Sequence, residues 1–267
     1  MFKFRLSGKR GFSKKTIWCK NKRNQRICGE AFIPDGAGEY PLVIYSHGYG
    51  YNMSFLEADR LAAAGIAVYE FDFCGGSPWS KSDGKSTEMS VLTEADDLEA
   101  VLDEMKKQDF VDENRIFLCG GSQGGFVSII IGDRRQEDIA GMILYCPALV
   151  IADFEKEYLS GRSMPDKLRF GNMTISRKYY TDARDCGVYQ MMERFKKPVR
   201  YYHGSRDEMV PIKYAYEAEK HFPDVKLTIL PGAGHMLNYG FEDQLFSEMR
   251  DFILEEKKNG KKKTWKY

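Results

Sequence analysis

RIFLCGGSQGGF, residues 115–126, runs from an apolar β-rich segment through a glycine turn into a stretch compatible with a helix. Inside it, Gly120, Gly121, Ser122, Gln123 and Gly124 spell G-x-S-x-G in the strand–turn–helix setting that the motif requires. The glycines have a steric reason. A serine at the tip of so tight a turn leaves no room for side chains two residues away on either side, and the turn pushes its hydroxyl outward. The helix that follows aims its N-terminal N–H groups at whatever reacts there. A glycine turn that merely cradles a phosphate is the bland alternative, but neither a Walker lysine nor G-x-G-x-x-G accompanies this one. Ser122 therefore reads as a nucleophile.

A serine hydroxyl is a poor nucleophile near neutral pH, so it needs a base and an acid that orients the base. The chain has four histidines. On an elbow of this kind the chain order is serine, then acid, then histidine, which sets His47 aside. His203 directly precedes the candidate acid and comes too early, while His221 follows a lysine on a helical segment, as a surface residue would. That leaves His235, in LPGAGHMLN, after a strand and a Gly-Ala-Gly turn able to bring an imidazole over a sheet edge. It has to be neutral to take the serine proton. The acid comes from HGSRDEMVP, where Asp207, a short carboxylate that backbone N–H groups can fix in a turn, is preferred to Glu208, which would point to solvent. Asp72 and Asp97 come before the serine. An acyl-transfer site also needs donors for a developing oxyanion. The N–H of Gln123 is one, and Tyr49, between Gly48 and Gly50 in YSHGYGYN, offers the other; His47 then holds that loop by packing and hydrogen bonding.

Around the elbow, short β-rich runs alternate with amphipathic helical ones, the pattern of parallel strands covered by helices. Strands are expected at Leu42–Ser46, Ala67–Phe73, Arg115–Cys119, Gly141–Cys146, Val199–His203 and Lys226–Leu230. Apolar residues every three or four positions predict helices through Leu92, Ala95, Leu98, Leu102 and Met105, and through Leu245, Phe246, Met249, Phe252 and Ile253. The N-terminal stretch to Pro34 alternates like two or three antiparallel strands. Residues 147–195 break the rhythm with Pro147, Gly161, Pro165 and Gly171, yet carry Phe154, Tyr158, Phe170, Tyr179, Tyr180, Tyr189 and Phe195. They read as a small helical cap inserted over the C-terminal edge of the sheet, where ligands bind in open α/β sheets.

HGYG, DFCGGS with SDGKS after it, GGSQGG, HGSRDEMVP and GAGH, in that order and over nearly the whole chain, resemble the α/β-hydrolase superfamily. Within it the likeness is closest to bacterial cinnamoyl or feruloyl esterases and to their dienelactone-hydrolase-like and serine-aminopeptidase-like relatives. The resemblance implies an α/β-hydrolase fold: a mostly parallel, eight-stranded sheet with helices on both faces, its core formed by residues 1–146 and 196–267 and its cap by 147–195. It also implies the same oxyanion hole, Tyr49 and Gln123. Two departures stand out, Gly121 where the family's elbow has histidine and the insertion PWSKS after Asp72, which alters the substrate wall.

Composition narrows the function further. The formal net charge is +1, so no global field favours nucleic acid; residues 1–30 and 257–267 are basic around an acidic interior, and the C-terminal lysines read as a solvated tail. No apolar run reaches membrane-spanning length, and the charge-punctured N-terminus lacks a secretory h-region, so a cytoplasmic protein is expected. The six cysteines have no C-x-x-C spacing and suit reduced thiols, with Cys74 expected near the mouth of the site. No H-E-x-x-H or clustered Cys/His spacing calls for a metal, and no motif for a cofactor. The expected partner is a small-molecule ester, short-chain or aryl-acyl, including hydroxycinnamoyl, cleaved by Ser122, Asp207 and His235. An amide or thioester hydrolase using the same triad is the alternative, and a non-catalytic binding protein would have lost a triad member, which this chain has not.

Overall fold

Successive residues of a strand face opposite sides of its sheet, so a strand that is apolar throughout has to be covered on both. The computed structural model describes residues 11–55, 57–237 and 240–259, with side chains as far as Glu255. β1 (Phe12–Lys20) and β2 (Arg26–Pro34) form an antiparallel hairpin, followed by β3 (Tyr40–Ser46), α1 (Ala58–Ala63), β4 (Ala67–Phe71) and α2 (Val91–Met105). Then come β5 (Val111–Gly121), α3 (Gln123–Arg134), β6 (Gly141–Tyr145), α4 (Phe154–Tyr158), β7 (Lys167–Phe170) and β8 (Met173–Ser176). The chain continues through α5 (Lys178–Asp185), α6 (Val188–Arg194), β9 (Val199–Gly204), α7 (Lys213–His221), β10 (Val225–Leu230) and α8 (Glu242–Asn259).

Eight strands form one sheet in the order β1-β2-β4-β3-β5-β6-β9-β10, antiparallel at β1/β2 and β2/β4 and parallel elsewhere. Leu42 and Ile44 of β3, and Ile116 and Leu118 of β5, enter the apolar layer beneath α2 and α3. Val43, Phe117 and Cys119 enter the opposite layer with Leu61 of α1 and Met249 and Phe252 of α8. Each fully buried Ile, Leu or Phe contributes about 1.5–3 kcal/mol, so these two layers hold the sheet between its helices. The Ser90 hydroxyl caps α2, accepting from Thr93 N–H while Thr93 Oγ1 accepts from Ser90 N–H. No helix among the described residues is long and apolar enough to cross a membrane.

All six expected strands and both expected helices form, with small changes at the ends. β4 stops at Phe71, β6 stops before Cys146, whose φ is 42°, and β5 begins four residues earlier, at Val111. The N-terminal alternation yields two described strands; residues 1–10 and the lysine tail from 260 lie outside the described residues. The stretch read as a helical cap is corrected to a mixed one: beside α4, α5 and α6 it contains the two-stranded sheet β7/β8. Gly171 makes the hairpin turn of that sheet with φ 55° and brings Phe170 opposite Met173. The six cysteines are unpaired.

Candidate active site

Parallel strands end at the same edge of their sheet, and the loops leaving β3, β5, β9 and β10 there carry Tyr49, Ser122, Asp207 and His235. Ser122 has φ 53° and ψ −117°, a conformation that a residue with a side chain adopts only under constraint. Its N–H donates to the Tyr145 carbonyl at 2.8 Å, and its own carbonyl accepts from Gly125, Phe126 and Ala148 N–H. A Cβ at Gly120 would lie 2.4 Å from the Gly124 carbonyl oxygen, and one at Gly124 would lie 2.1 Å from that of Ser46. This is the crowding that the motif implies. Because backbone, not a flexible side chain, stands in the way, Gly124→Ala is expected to destabilise the protein by at least about 3 kcal/mol in urea unfolding. A variant as stable as the parent would mean that the elbow has room.

His235 is 11% exposed and its Nδ1 donates to Asp207 Oδ2 at 2.8 Å. The other carboxylate oxygen accepts from Met209 and Val210 N–H at 2.9 and 2.8 Å, so the turn after β9 fixes the acid as a short carboxylate allows. Burial works to raise the Asp207 pKa, but the hydrogen bonds from His235 and Val210 N–H and the His235 charge outweigh it and leave the carboxyl below its ordinary value. Glu208 is exposed and lines the cavity mouth. Ser122, Gln123, Tyr49 and His235 line the same cavity, of about 530 Å³, with Phe154, Tyr158, Phe170 and Tyr179 of segment 147–195 on one wall.

The remaining histidines divide as their surroundings dictate. His47 is buried, its Nδ1 donating to the Gly48 carbonyl at 2.8 Å and its Nε2 accepting from Phe73 N–H at 3.1 Å, which fixes one neutral tautomer. Burial lowers its pKa despite the Gly48 carbonyl. It holds the loop, as expected. His221 lies between Glu193 and Glu217 on the surface. His203 has a place that the chain order did not suggest: fully buried behind the acid, its Nε2 donates to the Val210 carbonyl at 2.9 Å and stands 3.6 Å from Asp207 Oδ2. Burial lowers its pKa as well.

Cys146, His203 and Asp207 bring ligand-type atoms within 4.8 Å of one another, the one such buried group found among the described residues. Asp207 is bonded to His235 and His203 to the Val210 carbonyl, so both already have partners within the protein. The loop that carries Tyr49 comes to the serine. A Cβ at Gly48 would lie 3.2 Å from Ser122 Cβ, and neither the Tyr49 nor the Gln123 N–H is taken by another backbone group among the described residues. Asp72 is structural, accepting from Met53 and Lys81 N–H at 2.7 Å each. The expectation for Cys74 is corrected. It is 4% exposed, its N–H donates to Asp97, and it lines a separate depression with Arg23 and Lys85, because the loop after β4 folds toward α2 and away from the cavity.

Residues 40–169 match the family model Hydrolase_4, described as serine aminopeptidase, S33. The match covers just under half of the chain and includes the elbow. The chain has the α/β-hydrolase fold. Among solved structures of that fold, Est1E from Butyrivibrio proteoclasticus, solved with ferulic acid bound, superposes with a TM-score of 0.81 at 24% identity, covering 91% of this chain and 99% of that one. An uncharacterised 31.7 kDa Escherichia coli protein from the traX-finO intergenic region is 32% identical over 128 residues, 46% of this chain and 44% of its own. Mouse mitochondrial ABHD10, a palmitoyl-protein thioesterase, is 24% identical over 243 residues, 82% of this chain and 78% of its own. This chain thus spans less than half the length of the first curated relatives it matches.

Proposed function

We propose that this α/β-hydrolase is a serine hydrolase of carboxylic esters in which Ser122 is the nucleophile, His235 the general base, Asp207 its orienting acid, and Tyr49 and Gln123 N–H the oxyanion donors. The observation that carries the reading is the 2.8 Å pair between His235 Nδ1 and Asp207 Oδ2 beside the cavity that Ser122 lines. Because a carboxylate only accepts, that pair commits the imidazole proton to Nδ1 and leaves Nε2 as the site that can receive another. Ser122 Oγ attacks the ester carbonyl carbon as its proton passes to Nε2. The carbonyl π electrons move onto oxygen, where the two N–H groups meet the negative charge. Collapse re-forms the carbonyl, expels the alcohol with the proton from Nε2, and leaves an acyl-serine; water repeats the sequence and releases the acid.

The aromatic wall supports a flat or short acyl group, since an apolar slot gains about 25 cal/mol per Å² from burying such a group. The likeness to Est1E, with its bound ferulic acid, supports hydroxycinnamoyl esters among the candidates. The likeness to mouse ABHD10 supports a second reading, thioester hydrolysis by the same triad. Measuring kcat/KM for acetyl, butyryl, octanoyl, palmitoyl and feruloyl esters, with matched thioesters and an aminoacyl p-nitroanilide, tests both. Preference for acetyl, butyryl or feruloyl oxygen esters is expected. A steady rise toward palmitoyl, or thioesters consistently ahead of their oxygen esters, would overturn the ester reading in favour of the second, and preference for the anilide would make the protein an amidase.

A further inference from the structure

The side chain after the nucleophile is held from two sides. Gln123 Nε2 donates to Glu94 Oε2 on α2 at 2.6 Å, and Gln123 Oε1 accepts from the Tyr179 hydroxyl on α5 at 2.8 Å. None of the three is more than 2% exposed. Tyr49 is held by the same inserted segment: its hydroxyl donates to the Phe170 carbonyl at 2.6 Å, and its ring meets those of Phe170 and Tyr179 edge-on at 5.3 and 5.7 Å between centroids. Both residues whose N–H groups form the proposed oxyanion hole therefore have their side chains fastened to segment 147–195, and Tyr179 touches both.

Buried polar groups find partners wherever they lie, so a network alone would be only structural. This one is costly, however. Glu94 is fully enclosed and its Oε1 has no hydrogen-bond partner among the described residues. Burial pushes its carboxyl well above the ordinary range, and an apolar residue at this place would avoid that penalty. What the carboxyl does here is grip the amide of the residue whose N–H faces the reacting carbonyl. Oxyanion donors act by being in place before charge develops, and displacement of about 1 Å can cost on the order of a hundredfold in rate.

We propose that Glu94 and Tyr179 are positioning residues for the oxyanion donors, so that the inserted segment braces the catalytic centre as well as walling the acyl pocket. This rests on the serine-hydrolase reading. Tyr179→Phe removes the hydroxyl and keeps the ring, and p-nitrophenyl acetate presents only a methyl group to the acyl pocket. With that ester, kcat is expected to fall about tenfold with KM within about twofold, and a trifluoromethyl ketone that forms the tetrahedral adduct is expected to bind about tenfold more weakly. Glu94→Gln keeps an acceptor oxygen for Gln123 and should stay within about twofold of the parent, whereas Glu94→Leu should lose about as much as Tyr179→Phe. If Glu94→Leu does not fold, Tyr179→Phe decides alone. Unchanged kcat in Tyr179→Phe, a loss confined to KM, or equal losses in the two Glu94 variants overturns the inference. Labelling of Ser122 by a fluorophosphonate separates the two possible failures: unchanged kcat with labelling intact overturns the positioning role alone, and a parent protein that is neither labelled nor active overturns the serine-hydrolase reading and this inference with it.

Discussion

Ser122→Ala is expected to lower kcat/KM on an activated ester by on the order of 10⁵- to 10⁶-fold and to abolish phosphonate labelling, since residues that act as one catalytic unit fail together. The fold should survive. The bonds that hold the elbow, to Tyr145, Gly125, Phe126 and Ala148, are all made by the Ser122 backbone, and alanine keeps them. A side chain with Cβ alone already fits at φ 53°, so removing the oxygen adds no strain. Unfolding midpoints in urea should agree to within about 0.5 kcal/mol of stability, the usual range for a change outside the core. An alanine variant that still turns over the ester at the parent's rate would remove Ser122 from the chemistry, whatever its elbow looks like.

Asp207→Asn should cost about 10⁴-fold in kcat, because an amide can donate where the carboxylate only accepts and so permits the wrong imidazole tautomer. Glu208→Gln, one residue along on the exposed side of the same turn, should stay within about twofold. The reverse ranking would shift the acid by one position. Asp207 also carries a pH signature in stability. Its folded pKa lies below the unfolded value of about 3.9, so its contribution is fully present above that value and is lost as pH falls through the lower folded one. The stability advantage of the parent over Asp207→Asn should therefore shrink on acidification below about pH 4. An advantage that held steady between pH 6 and pH 3 would mean that the native carboxyl is not held in its charged form.

Much of this molecule was legible because its decisive features are local. The glycines around Ser122 are demanded by backbone atoms within a few residues or on the adjoining strand, and the turn after β9 fixes Asp207 with the next residues' own N–H groups. Strand alternation and helical spacing likewise report which face each residue turns to its neighbours, so the order of elements, and with it the loops that carry Ser122, Asp207 and His235, could be read along the chain. The hairpin β7/β8 was missed because short strands beside a Gly-Asn turn carry the same local signal as a loop between helices, and what separates the two readings is their pairing with each other.

The acids of α2 show where reading along the chain stops. In VLTEADDLEAVLDEM, Glu94 and Asp97 look like part of a solvated face, yet both are fully enclosed. Asp97 is met by Asn21, Arg23 and the Cys74 N–H, and Glu94 by Gln123. Those partners lie 23 to 76 residues away along the chain. The sequence by itself determined the elbow, the layers and the residues equipped for chemistry, because each rests on short-range sterics or periodic burial. Only the tertiary structure decided which carboxyls are buried and how the inserted segment grips Tyr49 and Gln123. A polar side chain is stable inside a protein only when distant parts of the chain arrive to bond it, and no local pattern records that arrival.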